Sequence, residues 1–230
     1  MEELSLLQRV AVWVVPVVLA ITVHEVAHGW VAKLLGDKTA MMLGRLTLNP
    51  VKHIDPLGTV VVPGVLLMLG GFIFGWAKPV PVTWENLRRP NRDMALVALA
   101  GPMANLLMAL GWALLILLTA LWSRSINGVT LFLFYLGVAG ILINAVLLVL
   151  NMLPLPPLDG GRVLTAILPG PLAYRLSLIE PYGFVILLGL LITGLLGQIL
   201  NPAVQGVISL LVLATGISVE SFQLLLYTLL

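Results

Sequence analysis

Six apolar runs, at about residues 8–35, 57–76, 94–122, 129–152, 182–200 and 203–228, leave this chain few ways to fold. A run of about 20 apolar residues rising 1.5 Å each crosses a hydrocarbon core of roughly 30 Å. Inside that core every backbone polar group must find its partner within the protein, which selects helices. The 230 residues are 60% hydrophobic and only 10% charged, and the mean hydropathy is +1.10, so little chain is left for a water-soluble unit. The expected fold is an all-α polytopic membrane protein, read as a single domain over residues 1–230 and surrounded by lipid bilayer. A net charge of +2 dispersed among loops argues against nucleic acid as a partner and fits charges that orient a protein in its membrane. The absence of cysteine excludes disulfides, thiolate metal sites and cysteine nucleophiles. The first run begins near the N-terminus, as a signal peptide does, but it extends far past a short apolar core and is read as retained.

The basic residues expose a conflict in the simple count of crossings. Lys33, Lys38, Arg45 and Lys52 precede the run at 57–76, and Lys78, Arg88, Arg89 and Arg92 follow it. A true crossing would put one of these groups outside, against the positive-inside rule, whereas a re-entrant loop keeps both inside. Pro63, Gly64, Gly70 and Gly71 interrupt the same run and suit backbone that dips into the membrane within protein. The reading is therefore about five transmembrane helices plus one re-entrant segment. The N-terminus lies outside, the first helix ends in the cytoplasm, a short outer turn lies at 123–128, and a C-terminal helical pair occupies about 182–228.

Within the first run stands "ITVHEVAHGW", residues 21–30. Each ionisable group in such a segment costs a few kcal/mol, so three together ask for a function. Residues four apart share a helix face, so His24 and His28 can offer imidazole nitrogen to one point, with Glu25 beside them. Two such histidines outline a zinc site. Glu25, held off the metal, has the chemistry of a general base for an attacking water. The bland alternative is buried polar glue between helices. A third ligand must come from a short supply of acidic and histidine side chains: His53, Asp55, Asp37, Asp159 and Glu180 are the choices. Asp159 lies in "NMLPLPPLDGG", irregular backbone that the topology above puts on the same side as the inner half of the first helix. It can reach the two histidines, although an aspartate there also suits the cap of the following "GRVLTAIL".

"HEVAH" in one helix, "AGPMANLL" in a later one and "NMLPLPPLDGG" at the end of the next occur in the order found in the site-2 protease family of intramembrane zinc metalloproteases, which the chain resembles over about residues 8–170, its expected catalytic core. "GRLTLNPVKHIDPLGT" and "GWAKPVPV" resemble the compact prokaryotic members. The resemblance implies one zinc ion per chain, held by His24, His28 and Asp159, with Glu25 as general base. It also implies that Asn105 faces the active site, where its amide orients substrate or stabilises an oxyanion; on its own residues Asn105 equally reads as interhelical glue. Asn151 reads either as a similar active-site amide or as a partner for the broken backbone before Pro154. A small membrane-embedded β-structure is implied in parts of residues 40–56 and 77–83, and "KPVPV" at 78–82 is a candidate edge for an unwound substrate. The substrate implied is a transmembrane protein or peptide cleaved within or near the bilayer of a prokaryotic plasma membrane, with the active site toward the cytoplasm. The turn at 123–128 and the end at Leu230 suggest a type without PDZ or CBS domains. Two other classes compete: a noncatalytic zinc-binding membrane protein, which needs no base, and an ion transporter, which more often shows paired repeats. Oligomeric state is open, because Gly137, Gly140, Gly189 and Gly194 serve internal or subunit packing equally well.

Overall fold

The computed structural model describes residues 5–61, 75–123, 125 and 127–229. Helix α1 spans Leu6–Leu34. Its first turn is closed by a reciprocal cap, in which the Gln8 N–H donates to Ser5 Oγ at 3.3 Å and the Ser5 N–H donates to Gln8 Oε1 at 2.9 Å, satisfying donors that the helix itself cannot. A short turn of helix, α2, follows at Thr39–Met42. The long helices α3, Pro90–Trp122, and α4, Gly128–Asn151, form the most extensive packing pair, with α1 laid against both. Proline at the first position of α3 removes a donor the helix start would leave unpaired, and Asp93 in its first turn accepts the Arg89 N–H at 2.8 Å. Beyond α4 come α5, Asp159–Ile167, α6, Gly170–Ser177, α7, Glu180–Ile192, α8, Leu195–Leu213, and α9, Val219–Leu229.

Close approach holds the bundle together. The main core joins Ala109, Ala113 and Ile116 of α3 to Val138, Ile141 and Ala145 of α4, and extends to Val204, Ile208, Leu211 and Val212 of α8 and Phe222 of α9. Small residues let the α3 and α4 backbones meet: a methyl at Gly140 would overlap the Trp112 ring. In a bilayer, where lipid is as apolar as leucine, such contact and dispersion carry helix association. A second cluster of Ala32, Leu87, Met94 and Val97 fixes the end of α1 against the start of α3.

The loop between α1 and α3 is organised by Asp37, which is fully buried. Its Oδ1 accepts the Thr39 N–H at 3.0 Å, the Thr39 hydroxyl and the Asn86 amide at 3.1 Å, and its Oδ2 accepts the Thr83 N–H at 2.8 Å. Burial alone would raise the Asp37 pKa. The hydrogen bonds from Thr39, Thr83 and Asn86 outweigh it and hold the group below the ordinary carboxylate range.

Among the described residues four helices are long and apolar enough to cross a membrane: Leu7–Leu34, Pro90–Trp122, Gly128–Asn151 and Leu195–Leu213. The pair Gly170–Ser177 and Glu180–Ile192, bent by 58°, brings the number to five if it counts as one span. The C-terminal runs differ from the sequence reading. The run at 182–200 breaks at Gly194 and the run at 203–228 breaks near Gly216, with φ of +74° and +70°, a left-handed backbone that glycine adopts without strain. Among the described residues no strand occurs, so the β-structure expected at 40–56 and 77–83 is not seen there. The stretch 40–56 contains helical turns at Thr39–Met42 and Pro50–His53. At 77–83, Pro79 and Pro81 have no N–H to give, the Lys78 N–H donates to the His53 carbonyl at 2.9 Å, and the Val80 N–H donates to Glu25 Oε2 at 2.7 Å. Arg45 Nη2 donates to the Lys78 and Pro79 carbonyls at 2.7 and 3.3 Å. These bonds engage the Lys78 and Val80 N–H groups and the Lys78 and Pro79 carbonyls inside the chain, so the first half of "KPVPV" is not the open edge expected of it. Residues 62–74, which carry most of the run read as re-entrant, lie outside the described residues. Its two ends meet: the Trp76 N–H donates to the Gly58 carbonyl at 3.0 Å and the Thr59 hydroxyl to the Trp76 carbonyl at 2.9 Å.

Candidate metal centre

The helical repeat of α1 stacks His24 and His28 on its buried face, 7% and 9% exposed, with ring centroids 4.6 Å apart and the rings nearly perpendicular. Asp159, the first residue of α5 and also 9% exposed, approaches from the opposite side. His24 Nε2 and His28 Nε2 are 3.0 Å apart, and Asp159 Oδ2 lies 3.3 Å from the first and 3.4 Å from the second. A tetrahedral zinc with ligands at about 2.0–2.1 Å has ligand–ligand edges of about 3.3 Å, so the triangle has the right size for one face of such a site.

The hydrogen bonds behind the rings decide what those three atoms are. His28 Nδ1 lies 2.7 Å from the Val97 carbonyl, which only accepts, and His24 Nδ1 lies 2.6 Å from Asn105 Oδ1. Each neutral imidazole therefore carries its proton on Nδ1 and turns a bare Nε2 lone pair inward. Two lone pairs and a carboxylate oxygen facing one another in a low dielectric call for a cation between them. Asp159 Oδ2 is buried and accepts no hydrogen bond, an acceptor left for such an ion. The surrounding space agrees: Gly101 of α3 faces the pair, and a methyl there would come 2.5 Å from His24 Cε1 and 2.6 Å from His24 Nε2 and would overlap His28 Nε2. Among the described residues this is the group of three or more histidine and acidic side chains whose ligand atoms converge, all within 4.8 Å.

The competing third ligands are engaged elsewhere. Asp37 organises its loop, Asp55 Oδ1 accepts the Leu57 and Gly58 N–H groups at 3.0 and 2.8 Å, and Glu180 lies 3.9 Å from Arg162 at the surface. His53 is buried, donates from Nε2 to the Thr47 carbonyl at 2.9 Å, and stands outside the converging set. Glu25 is also outside it, half-buried, with Oε2 held by the Val80 N–H. Asn105 is fully buried. Its Oδ1 meets His24, while its Nδ2 donates to Asn144 Oδ1 at 2.9 Å and to the Ala20 carbonyl at 3.4 Å. Asn151 Nδ2 donates to the Leu147 carbonyl within its own helix, at 3.0 Å.

Three participants are absent from the motif reading: the Val97 carbonyl, the Val80 N–H and Asn144. Backbone groups leave no trace in residue identity. Asn144 did leave one, since an amide in the middle of the run at 129–152 is costly unless it is paired.

No family model matches the chain, and no solved structure matches it. Among curated proteins, YwhC of Bacillus subtilis, named as a candidate zinc metalloprotease, is 39% identical over 190 residues, covering 82% of this chain and 84% of YwhC. Rip2 of Mycolicibacterium smegmatis, named in the same way, is 34% identical over 182 residues, covering 78% of this chain and 66% of Rip2. Rip2 of Mycobacterium tuberculosis is 34% identical over 158 residues, which is 67% of this chain and 55% of that protein. With an alignment to YwhC that runs through most of both proteins, and with the histidines of "HEVAH" brought against the aspartate of "LDGG" by the fold, the chain belongs to the site-2 protease family of zinc metalloproteases.

Proposed function

We propose that this protein hydrolyses peptide bonds within or near the transmembrane segments of membrane-protein substrates. The reading rests above all on the triangle of His24 Nε2, His28 Nε2 and Asp159 Oδ2 with both imidazole Nδ1 atoms committed to acceptors. These three side chains would hold zinc, which when bound lowers the pKa of a water and polarises a carbonyl. Glu25 is the general base. Its Oε2 takes the Val80 N–H, which orients the carboxylate and leaves Oε1 to accept the proton of the attacking water and return it to the leaving amine. Asn105 acts as a positioning group for His24, since its amide is taken up by His24, Asn144 and Ala20. A helical substrate hides its carbonyls in hydrogen bonds and must unwind before cleavage.

The run at 57–76 is re-entrant in this reading. Eighteen helical steps from Gly58 to Trp76 would part those positions by about 27 Å, yet they are hydrogen-bonded. With both basic groups then on one side, the active site opens toward the cytoplasm. The test is cleavage of a reporter carrying one transmembrane helix, by wild type and Glu25→Gln in detergent. Wild-type cleavage that disappears in Glu25→Gln supports the proposal. Equal cleavage by both removes Glu25 from the chemistry, and absence of wild-type cleavage favours the noncatalytic or transport alternatives.

A further inference from the structure

We infer that Asn144, which belongs to none of the motifs of the site, is a positioning residue for the metal centre: with Asn105 it forms a two-amide relay that dictates which nitrogen of His24 carries the proton. This rests on the zinc reading of the site. The relay has a fixed direction. Asn144 Nδ2 donates to the Gly140 carbonyl at 2.9 Å, and a carbonyl can only accept, so Asn144 must turn its Oδ1 the other way. That oxygen receives Asn105 Nδ2 at 2.9 Å, which leaves Asn105 Oδ1 as the atom facing His24 Nδ1 at 2.6 Å. An oxygen there obliges His24 to be protonated at Nδ1, and Nε2 is left bare for a metal. Both asparagines are fully buried, so no water can substitute for a missing partner.

The contrast with His28 explains why a relay is needed. His28 reads its tautomer from one backbone carbonyl, that of Val97, whose polarity cannot change. His24 reads its tautomer from a side-chain amide, which can flip. If Asn105 were reversed, Nδ2 would face His24 and favour the tautomer with Nε2–H, which cannot bind a metal. Asn144 makes that reversal costly, because the reversed amide would point its oxygen at the Asn144 oxygen; the Ala20 carbonyl, at 3.4 Å, opposes it more weakly.

The experiment exploits a chain with only three histidines. Histidine labelled with 15N in metal-free wild type and in Asn144→Leu, at a pH where imidazole is neutral, gives the tautomer of His24 and His28 separately, and chelator competition gives zinc affinity. The expected wild-type result is Nδ1–H at both. In Asn144→Leu, His24 should become a tautomer mixture, His28 should stay unchanged, and zinc affinity should fall about 10-fold, the lower end for lost outer partners of a ligand. Unchanged His24 signals and unchanged affinity in Asn144→Leu overturn the inference. If that variant does not fold, wild type still decides: a metal-free His24 carrying Nε2–H contradicts the relay's direction. Wild type that binds no zinc at all sinks the metal reading instead, which separates the two failures.

Discussion

Replacing Gly101 with alanine should abolish useful metal binding while leaving the helix bundle intact. The added methyl would lie 2.5–2.6 Å from two atoms of the His24 ring and would overlap His28 Nε2 as well. Ordinary carbon contacts begin near 3.5 Å, so His24 must retreat by about 1 Å, and His28 by at least as much. Ligand distances at a metal tolerate only about ±0.2 Å. Neither ring has an easy retreat, since each is anchored through Nδ1, to Asn105 and to Val97. Zinc affinity should fall by more than about 100-fold, or roughly 2.7 kcal/mol. The helix opposes this little: alanine is favoured over glycine in a helix interior by about 1 kcal/mol, and Gly101 is well inside α3. The assay is zinc affinity by chelator competition, paired with thermal unfolding of the metal-free protein in detergent. A Gly101→Ala protein that binds zinc as wild type does would refute the placement of the metal between α1, α3 and α5. Loss of zinc with a large drop in metal-free stability would show that the methyl disrupts packing rather than the site.

Arg45→Met should lower the rate of cleavage about 10-fold with zinc retained, because Arg45 holds the carbonyls of Lys78 and Pro79 and through them the Val80 N–H that orients Glu25; kcat beside metal content is the check. Asp37→Ala should cost roughly 3 kcal/mol of stability in detergent unfolding, since it strips the Thr39, Thr83 and Asn86 donors of a buried charged acceptor. Because the folded pKa of Asp37 lies below its ordinary value, the unfolded chain takes up the proton first as pH falls. The stability Asp37 supplies is therefore complete above about pH 4 and declines as pH drops through the folded pKa. Asp37→Asn should lose this acid-range slope in unfolding measured from pH 7 to pH 3. For the topology, Gly75→Cys and Ser125→Cys each place a single thiol in a chain without cysteine, and impermeant labelling should reach them from opposite sides. In the re-entrant reading Gly75→Cys is labelled from the cytoplasmic side and Ser125→Cys from outside; labelling of Gly75→Cys only from outside contradicts that reading.

The spans that sequence located well are those whose ends carry polar or capping residues. The runs at 8–35, 94–122 and 129–152 became Leu6–Leu34, Pro90–Trp122 and Gly128–Asn151, and their starts at Ser5, Pro90 and Asn127 carry caps or proline that hydropathy and side-chain chemistry both register. The C-terminal runs were placed less well because Gly194 and Gly216 break helices within stretches that hydropathy alone reads as continuous, although Ser218, whose Oγ takes the Ser221 N–H at 3.1 Å, marks the second break. The metal triangle was legible because ionisable groups in lipid-soluble sequence are expensive and few. Its supports were not, since the Val97 carbonyl and the Val80 N–H are contributed by residues whose side chains take no part. The expected edge at 78–82 is closed at its first half for a related reason: alternating apolar residues suggest a strand, but the Lys78 and Val80 N–H groups are taken by His53 and Glu25 far away in sequence.

The most direct measurement is zinc per chain in purified wild type, Glu25→Gln and Asp159→Ala. Wild type should hold about one, Glu25→Gln about one and Asp159→Ala none, because Glu25 stands outside the converging set and Asp159 Oδ2 is one of its three atoms. Zinc retained in full by Asp159→Ala, or lost from Glu25→Gln, would contradict this ligand set.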